Sequence, residues 1–288
     1  MPNINHIMPK PVLVPIYWGN DYVQNPSVVN SLQQMLQDLV TGPFMNVMAQ
    51  YGVRRGTVNP AIVIGDPNPP SLWTWTDQNK KLVDQMTQQL IAWINAGTVP
   101  APPSPTDVNQ LYLFFPPPET KLQIYNNASD PTGNGVQAWH NEGGTNPPAP
   151  PYYYWAIVKT NDVGPITSPG FISGVSRKFS HELAEQFVDI NGSYEEIGDP
   201  CNNSGYTYRG WAVQLLHSDW DTSPSNPCGC VAPDSPISLQ KFLTAINFDY
   251  KHHGLRTLGT PAIDTDYIAL RMQSVTGVGN VPKTGCPQ

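Results

Sequence analysis

Charge is scarce in this chain: only 13% of its 288 residues are Asp, Glu, Lys or Arg. No run of Lys and Arg offers phosphates a landing strip, and a formal net charge of -7 sets the chain against nucleic acid as a partner. No apolar stretch is long enough to span a bilayer, which excludes a transmembrane helix. The opening Met1-Pro2-Asn3-Ile4-Asn5-His6 lacks the basic-then-apolar order of a secretory signal, so a secreted product would have lost its leader or left by another route. Cysteine is sparing as well. The four residues, Cys201, Cys228, Cys230 and Cys286, all lie in the final third. An even count in a charge-poor, amide-rich chain points to disulfides and an extracellular setting. Cys228 and Cys230 are too close to bridge each other comfortably, so each is expected to reach Cys201 or Cys286. A four-thiolate zinc site is the alternative, but the usual two-residue gaps are missing.

What the chain has in abundance is proline and glycine, 32 and 23 residues. Runs such as Pro116-Pro117-Pro118 and Pro147-Pro148-Ala149-Pro150-Pro151 predict stiff, extended connections around a smaller regular core. Strand signals stand at 11–18, 61–64, 111–115 and 152–158. Apolar residues at helical spacing follow in 28–40, and again from Leu82 to Ile94 after a cap at Thr76 or Asp77, with Gly97 as the stop. Another helix is expected from about Gly174 to Asp189, ended by Asn191-Gly192. Val213-Gln214-Leu215-Leu216 reads as a strand and Ser238 to Tyr250 as a helix. Strands alternating with helices predict an α+β fold, a mixed sheet packed by helices, as a single domain over 1–288. Its sheet-and-helix core would cover 11–200 and its Cys-containing, disulfide-stapled C-terminal subdomain 201–288.

Four of the six glutamates fall between Glu182 and Glu196, with His181 just ahead of them. Carboxylates so concentrated beside a histidine repel one another unless a cation or shared protons neutralise them. On a helix, His181 and Glu185 share a face and can reach one ion, while Glu182 is turned about 100° away, where it can address water instead of the metal. This is the arrangement of the His-Glu-x-x-His zinc peptidases with Glu185 in place of the second histidine. Gly192 lets the chain reverse, so that Glu196 or Asp199 can return over the helix as a further ligand. One imidazole with carboxylates is a harder, more anionic set than two imidazoles, which widens the candidate ions from zinc to manganese or calcium. His140, within Trp139-His140-Asn141, reads as a satisfied loop histidine, and His217 carries a similar reading. Trp18, Trp73, Trp75 and Trp155 read as core or cleft walls.

Ser180-His181-Glu182-Leu183-Ala184-Glu185, then Asp189, then Glu196-Ile197-Gly198-Asp199-x-Cys201, resembles the signature of the Exordium (phosphate-induced) family of plant wall proteins and its bacterial relatives. Pro15-Ile16-Tyr17-Trp18-Gly19, Gln50-Tyr51-Gly52-Val53, Leu111-Tyr112-Leu113 and the stretch around His140 and Tyr154 follow that family in the same order, over roughly residues 11–230. The resemblance implies a secreted or extracytoplasmic protein, tied in plants to growth and without a settled activity, and its His-Glu pattern implies a zincin-like fold. The chain departs from it at Val188-Asp189-Ile190, where relatives tend to have Thr-Asp-Pro, and at Trp139-His140, which lacks a neighbouring cysteine. The expectation is therefore a secreted, zinc-dependent hydrolase acting on a peptide or protein substrate. His181, Glu185, Glu196 and Asp199 are its ligand candidates and Glu182 its general base. The alternative is a non-catalytic wall- or surface-binding protein in which the same carboxylates hold calcium.

Overall fold

Every residue of Val12-Leu13-Val14-Pro15-Ile16-Tyr17-Trp18 is apolar, and all but Val12 are buried. A strand of that composition has both of its faces covered. The structure, a computed structural model, describes residues 7–76, 81–125, 138–140, 151–190, 197, 198, 201, 205–218, 221, 223, 225, 226 and 228–235. In chain order its elements are β1 (Val12–Trp18), α1 (Asn20–Gln24), α2 (Pro26–Thr41), two 3-10 turns (Pro43–Asn46 and Met48–Tyr51), β2 (Thr57–Val58), β3 (Ile62–Ile64) and β4 (Leu72–Thr76). Then come α3 (Lys81–Asn95), β5 (Gln110–Phe115), β6 (Lys121–Tyr125), β7 (Ala138–His140), β8 (Tyr154–Val158), α4 (Phe171–Val188), β9 (Gly205–Tyr208), β10 (Trp211–Gln214), β11 (Leu216–His217) and β12 (Cys230–Val231).

The main sheet runs β2-β1-β5-β8-β7, with β3 pairing on the same edge of β1 as β2. β1 is parallel to β2, β3 and β5, β5 is parallel to β8, and β7 alone runs antiparallel, against β8. The sheet is therefore mixed and the fold α+β, as the alternation of elements predicts. Pro15 explains why that edge is split between two short strands. β2 pairs with Val12 and Leu13, β3 with Ile16 to Trp18, and the residue that has no N–H to give stands in the gap between them.

Side chains alternate across the sheet into two cores. Leu13 and Tyr17 of β1, Leu111, Leu113 and Phe115 of β5, and Tyr154, Ala156 and Val158 of β8 face α2 and α4. Val14, Ile16 and Trp18, Tyr112 and Phe114, Trp155 and Ile157 face Met86, Leu90 and Trp93 of α3. Trp18 and Trp155 are core residues, as expected. α2 starts on Pro26, whose missing N–H costs nothing in the first turn, and buries Val29, Leu32, Met35, Leu36, Leu39 and Val40 as one stripe. Gly97, at φ 71°, closes α3 and donates its N–H to Ile94 O. The expected cap at Thr76 is instead the end of β4, and Asp77 lies outside the described residues, as does the expected helix at 238–250.

β9 and β10 form a hairpin whose turn residues, Arg209 and Gly210, both take positive φ, the requirement of a type I′ turn. Tyr208 and Trp211 tie the hairpin to α2 by donating to Asp38 O (3.1 Å) and Asp38 Oδ2 (2.8 Å). Ser176 and Ser180, small polar residues of α4, bond the backbone of β10 at Ala212 O (2.7 Å) and Gln214 N (3.0 Å). A disulfide joins Cys201 to Cys230, and Cys228 is disulfide-bonded too. Among the described residues no helix is long and apolar enough to cross a membrane.

Candidate metal centre

α4 buries twelve of its eighteen residues, and they include Ser176, Ser180, Glu182, Glu185 and Gln186. Two carboxylates three residues apart both point inward, at 5% and 2% exposure. They meet an imidazole from the last strand in the described order. His140 of β7 lies with Nδ1 2.7 Å from Glu182 Oε2 and 3.9 Å from Glu185 Oε2, itself only 6% exposed. The ligand atoms of His140, Glu182 and Glu185 all lie within 4.8 Å of one another, a spacing that could hold a metal ion. His181, one helical turn before Glu185, brings Nε2 to 3.0 Å from Glu185 Oε2 and remains 17% exposed at its side chain.

From the sequence His140 reads as a satisfied loop histidine. It stands instead on an antiparallel strand, carried to Glu182 by pairing with Ala156 of β8. Of the residues expected at the site, His181, Glu182 and Glu185 converge. Glu196 and Asp199 lie outside the described residues, but Ile197 and Gly198 between them are buried against the helix. A Cβ on Gly198 would stand 2.7 Å from both Glu185 Oε1 and His181 Nδ1, so only glycine lets the backbone approach this closely. His217, read as a bland histidine, is fully buried beside this turn: its N–H donates to Ile197 O (2.9 Å), and its Nδ1 lies 2.6 Å from Cys228 O.

Gln214 fixes the proton arrangement. Gly198 O can only accept, so the Gln214 Nε2 end must face it, at 2.6 Å. The amide oxygen is then left 3.0 Å from His181 Nδ1, which must carry the hydrogen. Nε2 of the same ring is thereby turned on Glu185 Oε2. An imidazole nitrogen and a carboxylate oxygen at that separation share a cation, either a proton or a metal ion. Ligand atoms of one tetrahedral zinc stand about 3.3 Å apart, given bonds of about 2.0–2.1 Å, so the pair is close to the span one ion requires. The donor set of imidazole nitrogen and carboxylate oxygen suits zinc or manganese and is less suited to calcium, which takes oxygen ligands.

Lys178, one turn ahead of Glu182, does not neutralise the cluster. Its Nζ donates to Lys159 O (2.7 Å) and pairs with Asp162. Burial pulls its pKa below the ordinary lysine value, with Asp162 acting in the opposite sense. Asp189, fully buried at the end of α4, donates its backbone N–H to Glu185 O (2.8 Å). No protein-family model, curated protein or solved structure matches this chain at a significant level.

Proposed function

We propose that this chain is a metal-dependent hydrolase of zincin-like architecture whose substrate is a peptide bond, a distant relative of the Exordium family working outside the cytoplasm. One observation carries the reading: two carboxylates, Glu182 and Glu185, and two imidazoles, His140 and His181, converge on α4, and the ligand atoms of His140, Glu182 and Glu185 lie close enough together to hold a metal ion. His181 and Glu185 would hold the ion, with Glu196 and Asp199 as candidates to complete its shell. When bound, the ion supplies Lewis acidity toward a carbonyl oxygen and toward water. Glu182 is the general base. His140 Nδ1–H donates to its Oε2 and fixes the carboxylate, leaving Oε1 to take a proton from water and hand it to the departing amine. The disulfide and the sparse charge support an extracytoplasmic setting.

Elemental analysis of untreated protein should find about one zinc per chain by this reading. Glu182→Gln should keep the metal while hydrolysis of a general peptide library falls by about 10²- to 10⁴-fold. Loss of metal in Glu182→Gln would reassign Glu182 as a ligand beside His140, and metal-free wild-type protein would sink the proposal.

A second reading draws on the burial of the cluster, since closed sites are the structural ones. A non-catalytic cation, calcium included, would then staple the backbone at Ile197 and Gly198 to α4. Tight calcium, no turnover and a lower melting temperature in chelator would favour it. The partial exposure of His181 favours the hydrolase, because it leaves the ligand pair a side open to substrate.

A further inference from the structure

The cover over the metal centre is anchored by a disulfide. Gly198 O accepts two hydrogen bonds, one from Cys201 N (3.0 Å) and one from Gln214 Nε2 (2.6 Å). Cys201 is bonded to Cys230, which pairs with His217 in the β11–β12 ladder, and His217 N donates to Ile197 O (2.9 Å). The turn is thus held at Ile197 by a strand and at Cys201 by a covalent bond. Gly198 between them is pressed onto Glu185 and His181. Gln214 joins the turn to the ligand: one end of its amide holds Gly198 O and the other orients the His181 ring.

We propose that the Cys201–Cys230 disulfide regulates this metal centre, with Gln214 as the positioning residue that relays the state of the turn to His181; the inference rests on the metal-site reading above. In the oxidised protein the turn is fixed, Gln214 is held by Gly198 O, and His181 presents Nε2 to the ion. A dithiol reductant gives two electrons and two protons, the S–S bond breaks, Cys201 and Cys230 become thiols, and the dithiol closes to its own disulfide. Gly198 then loses its covalent anchor, Gln214 loses a fixed partner, and His181 turns more freely. Loss of such an outer partner lowers metal affinity by about 10- to 100-fold.

The test is zinc affinity of the metal-stripped full chain, measured by competition with a chromophoric chelator, for wild type, the double variant Cys201→Ser/Cys230→Ser, Gln214→Leu and the three changes together. The double variant leaves the Cys228 disulfide in place. It and Gln214→Leu should each weaken zinc by about 10- to 100-fold, and the combination should be no weaker than either, because both act on one ring. Imidazole nitrogen NMR of the metal-free protein should show His181 protonated at Nδ1 in wild type and lose that signature in both variants, which a general loss of stability would not single out. If the double variant does not fold, the apolar pair Cys201→Ala/Cys230→Val breaks the same bond while suiting the burial of Cys201, and should weaken zinc alike. Zinc binding by wild type that is unchanged in the folded variants overturns the switch and leaves the metal reading standing; additive losses overturn the relay through Gln214. Failure of wild type to take up zinc overturns both.

Discussion

Glu185→Gln should reverse its rank against wild type depending on whether metal is present. Its carboxylate and that of Glu182 are both buried and place ligand atoms within 4.8 Å of each other. Two like charges at that distance repel by about 3 kcal/mol at an effective dielectric constant of about 20. The imidazoles at 2.7 Å from Glu182 and 3.0 Å from Glu185 offset part of this. The neutral isostere removes the repulsion and keeps the shape. In chelator the variant should therefore be more stable than wild type by about 1–2 kcal/mol, a rise in melting temperature of about 2–8 °C for a chain of this size. With zinc at about 100 times its Kd, wild type gains about 2.7 kcal/mol from binding and the variant, having lost a ligand, gains essentially none. Calorimetric melts of both proteins in chelator and in zinc read the four values directly. A variant less stable than wild type in both buffers would mean that Glu185 is a structural hydrogen-bonding residue, and the metal reading would fail with it.

Phe179→Ala tests whether α4 is held to the sheet by packing and not by the site. Phe179 is fully buried with its ring 4.4 Å from that of Phe115, so the change should cost about 3–5 kcal/mol, read from the denaturant midpoint, while zinc stoichiometry stays as in wild type. Tyr154 gives a pH signature. Burial, with Tyr152 and Asp107 adding to it, pushes its phenol up to about 12, against 10.0 in the unfolded chain. A folded-state value above the unfolded one contributes stability that is present below pH 10 and lost as pH rises toward 12. Tyr154→Phe should therefore flatten the decline of stability in that window, and an unchanged slope would refute the assignment.

The main strands and helices were legible because each carries its own periodicity. β1, β8 and β5 from Leu111 onward are continuous apolar runs, and α2 shows one buried stripe. His181 and Glu185 were legible because four residues on a helix bring two side chains to one face, a purely local rule. His140 and Gln214 were not. They lie 42 residues from Glu182 and 33 from His181, and only tertiary pairing brings them in. β7 has three residues, too few to show an alternation, and exists through its ladder with β8. Gly198 stands in the sequence as one member of the Glu196-Ile197-Gly198-Asp199-x-Cys201 signature; its physical reason, the approach of backbone to Glu185 and His181, is a contact across the fold.

An ordinary helix packed on a sheet turns its apolar stripe inward and its polar residues to water. α4 does so at Phe171, Val175, Phe179 and Leu183, then breaks the rule by burying Glu182, Glu185 and Gln186 in its last turns. Phe and Leu at those three positions would make the simpler core, and nothing in helix propensity or sheet packing asks for carboxylates there. Buried acids cost stability unless something compensates them, and the lysine nearest along the helix is engaged by Asp162. His140 from a neighbouring strand and His181 from the helix itself supply two imidazoles, and a divalent cation would supply the remaining charge. Local rules broken at one place, where side chains from a strand, a helix and a hairpin then meet, are the pattern on which the proposed metal site rests.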